Sequence, residues 1–241
     1  MNKYALVTGG TKGIGKGIVQ KLLKRGYYVI VTYSGDEIAR EKMHLEFKNF
    51  EDQLLALKID HSDNQQTLRL TTYIKENVPY LNCLICNAGQ TVRKSLRELS
   101  LTDWNTVMDV TLTSHFIIIR ELVDLIAFDA RIVFIGSLMG IYPHATSLPY
   151  GVSKAALHAL AKNLVKEFDG SKTTVNAIVP GFVETDWQKE KSSEMRQNIV
   201  ESTATKRFAA VGEIVNACLF CVDNEYVNGA MIEVSGGYCF K

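Results

Sequence analysis

The chain has 241 residues, 46% of them hydrophobic and 22% charged, the proportions of a chain that buries a core. Lys and Arg number 27 against 26 Asp and Glu, a net charge of +1. No cationic excess exists to drive binding to a phosphate backbone or an anionic bilayer, so nucleic acid and membrane are set aside as partners.

The start, MNKYALVTGG, lacks the charged and apolar regions of a secretory signal, and the apolar stretch around residues 116–119 is too short to span a bilayer. Five cysteines, an odd number in a chain this long, favour reduced thiols and a cytoplasmic protein.

In chain order, residues 4–8 form the first expected strand, followed by a glycine-rich turn. Ile14, Ile18 and Leu22 then recur at helical spacing, and Gly26 suits the end of that helix. Residues 29–32 and 54–59 supply the second and third strands; 83–86, 132–135, 175–179 and 231–234 supply four more. Helical patterns fill the gaps, most clearly over 152–165. Strand and helix alternating in this way predict an α/β fold: one Rossmann-like, doubly wound domain spanning 1–241, with a central parallel sheet of about seven strands and helices on both faces.

The first turn reads Thr8-Gly9-Gly10-Thr11-Lys12-Gly13-Ile14-Gly15. Glycines let the backbone turn tightly and approach a ligand, while free N–H groups at a helix start face an anion. Its place between a strand and an amphipathic helix makes it a candidate phosphate site. Residues 10–16 also fit G-x-x-x-x-G-K, but the next residue is Gly17, without the hydroxyl that a nucleotide-hydrolysing loop needs for magnesium.

The pattern Thr-Gly-x-x-x-Gly-x-Gly resembles the short-chain dehydrogenase/reductase family. So do Asn87-Ala88-Gly89 after strand four, Ser137 after strand five, Tyr150-x-x-x-Lys154, and Pro180-Gly181 after strand six. The resemblance runs from Tyr4 to Gly237.

Tyr150 and Lys154 are four apart at the start of a helix and share a face. A phenol titrates near 10, and a neighbouring ammonium favours its anion, drawing it toward working pH. The resemblance implies that Tyr150 exchanges a proton with the carbonyl or alcohol oxygen and that Ser137 orients the same oxygen. Lys154 would bind the nicotinamide ribose and tune Tyr150. Where the family carries Asn, this chain has Thr111; its backbone carbonyl could still hold a relay water, while its hydroxyl could bond the helix instead.

For the cofactor, the resemblance implies contacts from Gly9, Thr11, Lys12, Gly13, Ile14, Gly15, Asn87, Ala88, Gly89, Pro180 and Gly181. Val183 and Thr185 would meet the carboxamide and diphosphate, and Asp60 and His61 the adenine. The end of strand two, where an acid would bind a ribose 2′-hydroxyl, is Tyr33. Asp36 lies past a turn, where it suits a helix cap. With Lys12, and Ser34 or Arg40, placed to meet a 2′-phosphate, NADP(H) is preferred over NAD(H).

Two C-x-x-C pairs, Cys83/Cys86 and Cys218/Cys221, are more than a hundred residues apart, and the first lies in a strand whose alternate residues face opposite sides. Buried thiols explain them better than zinc. The histidines show no ligand spacing, so no metal is expected.

Pro180-Gly181-Phe182-Val183-Glu184-Thr185-Asp186 and the ending Ser235-Gly236-Gly237-Tyr238 look like the 3-oxoacyl-(acyl carrier protein) reductases within the family, with residues 186–205 as a lid over the substrate. An acidic carrier protein would need a basic patch. The stretch before strand five, residues 122–130, is acidic, leaving Arg93, Lys94 and Arg97 as the alternative. The loop 138–144 is bulky for an acyl-pantetheine arm, and His144 within it could touch a substrate. The leading substrate is thus a 3-oxoacyl thioester. A small carbonyl, sugar or ring alcohol stays open, as does a catalytically weak NADP-binding regulatory or scaffolding protein. The resemblance further implies a homodimer or homotetramer, and Ala155, Ala156, Ala159 and Ala161 would permit close helix packing.

Overall fold

Along β1 (Lys3–Val7), Ala5 and Val7 enter one apolar layer and Leu6 the other. Side chains alternate across a strand, so a strand covered on both faces must be apolar throughout. The computed structural model describes residues 3–143, 147–238 and 240.

The chain continues through α1 (Gly13–Leu23), β2 (Tyr27–Tyr33), α2 (Glu37–Glu46), β3 (Leu54–Lys58), α3 (Asn64–Asn77) and β4 (Leu81–Cys86). Next come α4 (Leu101–Met108), α5 (Ser114–Leu122), β5 (Ile126–Ile135), α6 (Leu148–Glu167) and β6 (Thr174–Pro180), followed by α7 (Ser193–Glu201), α8 (Val211–Asp223) and β7 (Met231–Val234). The seven strands are all parallel, in the order β3-β2-β1-β4-β5-β6-β7. Each pairing keeps one register except β4 with β5, which shifts between Leu81 and Cys83.

One apolar layer packs α1 and α8 on the sheet through Ile18, Leu22, Ile214 and Cys218. The other packs α3, α5 and α6 through Leu70, Ile74, Ile118 and Leu157. Cys83 belongs to the first layer and Cys86 to the second, so that pair cannot share a ligand. Burial raises the thiols of Cys83, Cys218 and Cys221, which makes them inert packing groups. Among the described residues no cluster of three metal-ligating side chains occurs, and no helix is long and apolar enough to cross a membrane.

Two expectations are corrected. β5 starts at Ile126 and not at 132, because residues 126–129 are half-buried or exposed and lack a continuous apolar run. α6 begins at Leu148, with Pro149 in its first turn, where a missing N–H costs nothing. Within 186–205, α7 is a helix with no buried residue, so no apolar period announces it.

The strand order reverses between β1 and β4. The loops leaving the carboxyl ends of β1, β4, β5 and β6 converge there, at the place where an open α/β sheet offers a ligand crevice.

Candidate active site

The glycine loop is fixed to the sheet by side chains from several strands. Asn87 donates from Nδ2 to the carbonyls of Thr8 and Gly9, both at 2.9 Å. Thr8 Oγ1 accepts from the N–H groups of Asn87 and Ala88, also at 2.9 Å. A Cβ on Gly15 would overlap the Gly9 carbonyl oxygen, and Gly9 and Gly13 have φ of +63° and +52°; here glycine is required by both space and conformation. Lys12 precedes α1 but makes no side-chain cap, which leaves the first-turn N–H groups available to an anion.

Buried histidines reinforce this floor. His115 Nδ1 lies 3.0 Å from the Thr111 carbonyl, so it carries the proton, and Nε2, 3.0 Å from Thr8 Oγ1, accepts. His61 sits between Thr32 Oγ1 at 2.9 Å and Thr67 Oγ1 at 3.1 Å, and Thr32 Oγ1 in turn accepts from Gly9 N at 3.2 Å. His158 Nε2 accepts from the Ser137 N–H at 3.3 Å, and Gly136 has no side chain because a Cβ would overlap that ring. Burial depresses all three, His115 to about 3 and His61 and His158 to about 4, so they are neutral near pH 7. Both ring nitrogens of His61 thus bond within the fold, while the residue also lines the cleft beside Asp60. Asp60 accepts from Ser62.

Beyond the floor, Ser137 follows β5, and Tyr150 and Lys154 project from the first turns of α6. Ser137 and Tyr150 line the cleft together, with the Ser137 hydroxyl placed to favour the phenolate, while Lys154 Nζ lies 5.5 Å from the centre of the Tyr150 ring and donates to the Ile135 carbonyl at 2.6 Å. The expectation that Lys154 draws the phenol down is corrected for the protein's own groups. Burial outweighs the Ser137 hydroxyl and pushes Tyr150 up to about 12; burial also depresses Lys154 to about 7.

Thr111 lies in a π-helical turn, Asp109–Thr113, between α4 and α5. Its hydroxyl accepts from Gln90 N at 3.3 Å and not from the helix, and its carbonyl already accepts from His115. Nothing in the sequence pattern signals these contacts.

A cleft of about 740 Å³ runs over the floor, lined by Gly9, Thr11–Gly15, Tyr33, Ser34, Asp60, His61, Asn87–Gly89, Lys154, Pro180, Gly181, Val183 and Thr185. The structure therefore brings together the residues expected to hold a dinucleotide, and the glycine cradle and uncapped α1 fit its phosphates. At the far end, Asp36 caps α2 by accepting from Ala39 N at 2.9 Å, as expected, and also pairs with Lys12 at 2.8 Å. Tyr33 donates to Glu37 at 2.9 Å. Arg40 pairs with Glu37 and Glu41.

A second cavity, of about 100 Å³, opens beside the cleft; Ser137, Tyr150, Trp187 and Gln188 line both. Leu138, Met139, Tyr142, Phe182 and Tyr238 form its apolar wall. His144 lies outside the described residues. Of the expected basic patch, Arg93 pairs with Glu190 at 3.7 Å and Lys94 with Asp103 at 2.7 Å, so both have acidic partners already. Trp187, Gln188 and Lys191 were legible only as members of the lid.

A family model described as short chain dehydrogenase matches residues 3–196. The chain is 31% identical over 239 residues to the 3-oxoacyl-[acyl-carrier-protein] reductase FabG of Aquifex aeolicus, covering 98% of this chain and 96% of that one. It is 30% identical to the acetoacetyl-CoA reductase of Cupriavidus necator, over 98% and 97% of the two chains. Among solved structures, the RhlG/NADP active-site complex of Pseudomonas aeruginosa superposes with a TM-score of 0.88 at 29% identity, over 98% and 96%.

Proposed function

The chain belongs to the short chain dehydrogenase family, and on that premise we propose that it is an NADP(H)-dependent oxidoreductase interconverting a carbonyl and a secondary alcohol, with a 3-oxoacyl thioester as substrate. The observation that carries this reading is that Ser137 and Tyr150 together line the place where the long cleft meets the inner cavity. A carbonyl oxygen there meets a hydroxyl that orients it and a phenol that protonates it.

The glycine loop, Asn87, Lys154 and Thr185 would hold the dinucleotide, which when bound supplies or accepts a hydride at the reacting carbon. Lys154, held on the Ile135 carbonyl, offsets the negative charge that forms on Tyr150 once the proton has gone to the oxygen. Lys12 would exchange Asp36 for a 2′-phosphate, which supports NADP(H). The NADP complex of the Pseudomonas relative points the same way.

The names of the Aquifex and Cupriavidus relatives support the thioester. A carrier-free thioester such as a coenzyme A ester is favoured over a carrier protein, because Arg93 and Lys94 are already paired. The compact inner cavity favours a second reading, a small carbonyl compound. Leu148 and Val152 are 45% and 40% exposed on α6, and Ala155 and Ala159 continue the same exposed stripe; this supports a homo-oligomer joined through α6.

The test is a fluorescence titration with NADPH and NADH, followed by acetoacetyl-CoA. Tighter binding of NADPH, and its oxidation on adding the thioester, support the proposal. Tighter NADH binding overturns the cofactor assignment, and binding without oxidation of any carbonyl leaves a nucleotide-binding protein that does no reduction.

A further inference from the structure

The inner cavity is cationic. Its only charged lining residues among those described are Arg93 and Lys191, and no carboxylate lines it. Arg93 is already paired with Glu190 at 3.7 Å, which leaves Lys191 as the cation without an acidic partner. Lys191 is half-buried, and its ammonium lies 6.0 Å from the centre of the Phe182 ring. It makes no ion pair among the described residues. A half-buried ammonium beside a second cation and an aromatic wall is short of negative charge. Burial and Arg93 accordingly both disfavour its charged form, a cost that an incoming anion would offset.

Gln188 supplies an independent observation. It is only 9% exposed, its side-chain oxygen has no hydrogen-bond partner, and it lines both chambers. Buried amides are ordinarily satisfied. The unmet atom is an acceptor, so it marks a place for a donor on the ligand, such as the hydroxyl of a reduced product, and not for a carboxylate.

We propose that the substrate of this site is an oxo acid: its carbonyl meets Ser137 and Tyr150, and its carboxylate enters the inner cavity to pair with Lys191. The inference rests on carbonyl reduction at Tyr150 and follows the small-carbonyl reading of the inner cavity, in place of the thioester. The carboxylate forms no covalent bond; it fixes which part of the molecule lies inward.

Acetoacetate and methyl acetoacetate share a 3-oxo skeleton and differ in charge, so the pair isolates the anion. With NADPH present, acetoacetate should show kcat/KM about tenfold above the ester, the scale of one charge-assisted contact. Lys191→Met should raise KM for acetoacetate about tenfold and leave the ester within about twofold. Equal efficiencies, unchanged by Lys191→Met, would overturn the oxo-acid proposal and leave carbonyl reduction standing. If neither compound oxidises NADPH, the reduction reading fails, and binding followed through Trp187 in a Trp104→Phe background decides the anion site separately. Quenching by acetoacetate that disappears in Lys191→Met supports it, and no difference between the two proteins overturns it.

Discussion

Around Gly9, hydroxyl, amide and imidazole groups bond one another inside the protein, with Thr8, Thr32, Asn87, His61 and His115 all closed on internal partners. The segment over the inner cavity is built differently. α7 buries no side chain, Met195 is 57% and Trp187 45% exposed, and Gln188 and Lys191 keep unmet polar capacity. The contrast separates two duties. A floor that must present backbone N–H groups to phosphates has to be rigid before the ligand arrives. A cover that admits substrate needs little stability of its own. Cofactor affinity should therefore respond to changes deep in the fold, and substrate choice to changes on the cover.

The largest effect tests the point where the two regions meet. Tyr150→Phe should lower kcat by roughly 10²–10⁴-fold, the contribution of a positioned acid–base group, with NADPH affinity unchanged in a fluorescence titration. On the floor, Gly15→Ala forces a methyl onto the Gly9 carbonyl. It should cost about 1–3 kcal/mol in urea unfolding and abolish nucleotide binding, whereas Met195→Ala on the cover should stay within about 0.5 kcal/mol.

Acid should find the floor before the cover. The three buried histidines have folded values of about 3 to 4, below the ordinary value near 6.5. The unfolded chain therefore binds more protons between pH 6.5 and about 4, and stability rises with pH across that window. The slope should approach about 1.4 kcal/mol per pH unit for each histidine and flatten above pH 7. His115→Gln should remove one proton from that slope, as urea midpoints measured from pH 4.5 to 8 would show.

A further prediction concerns cofactor choice. Lys12→Met should weaken NADPH about tenfold and leave NADH nearly unchanged. Asp36→Asn, which frees Lys12 from its pair, should shift the preference further toward NADPH. Both are read as dissociation constants at one fixed salt concentration.

The sequence makes the floor's backbone legible and leaves its support hidden. Gly9, Gly13 and Gly15 stand out because a turn between strand and helix has few other solutions, and Tyr150 and Lys154 because four residues make one helical face. Thr8 and His115 are 107 residues apart, and Thr32 and His61 are 29 apart. No local period records such a meeting, so His115 and His158 pass in the sequence as unremarked helix positions. The helix within the cover, α7, failed to show for the opposite reason: an element that buries nothing leaves no apolar rhythm. The same holds for the start of β5, whose first four residues are half-buried or exposed.

Hydride delivery onto a carbonyl held at Tyr150 and Ser137 is the centre of the account. The direct measurement uses NADPH deuterated at nicotinamide C4, offered with acetoacetyl-CoA, acetoacetate and methyl acetoacetate, and follows the label by mass spectrometry. The account predicts an alcohol carrying one deuterium at the former carbonyl carbon, formed by the wild-type protein and lost in Tyr150→Phe. Absence of labelled alcohol from all three compounds, or its persistence in Tyr150→Phe, would contradict it.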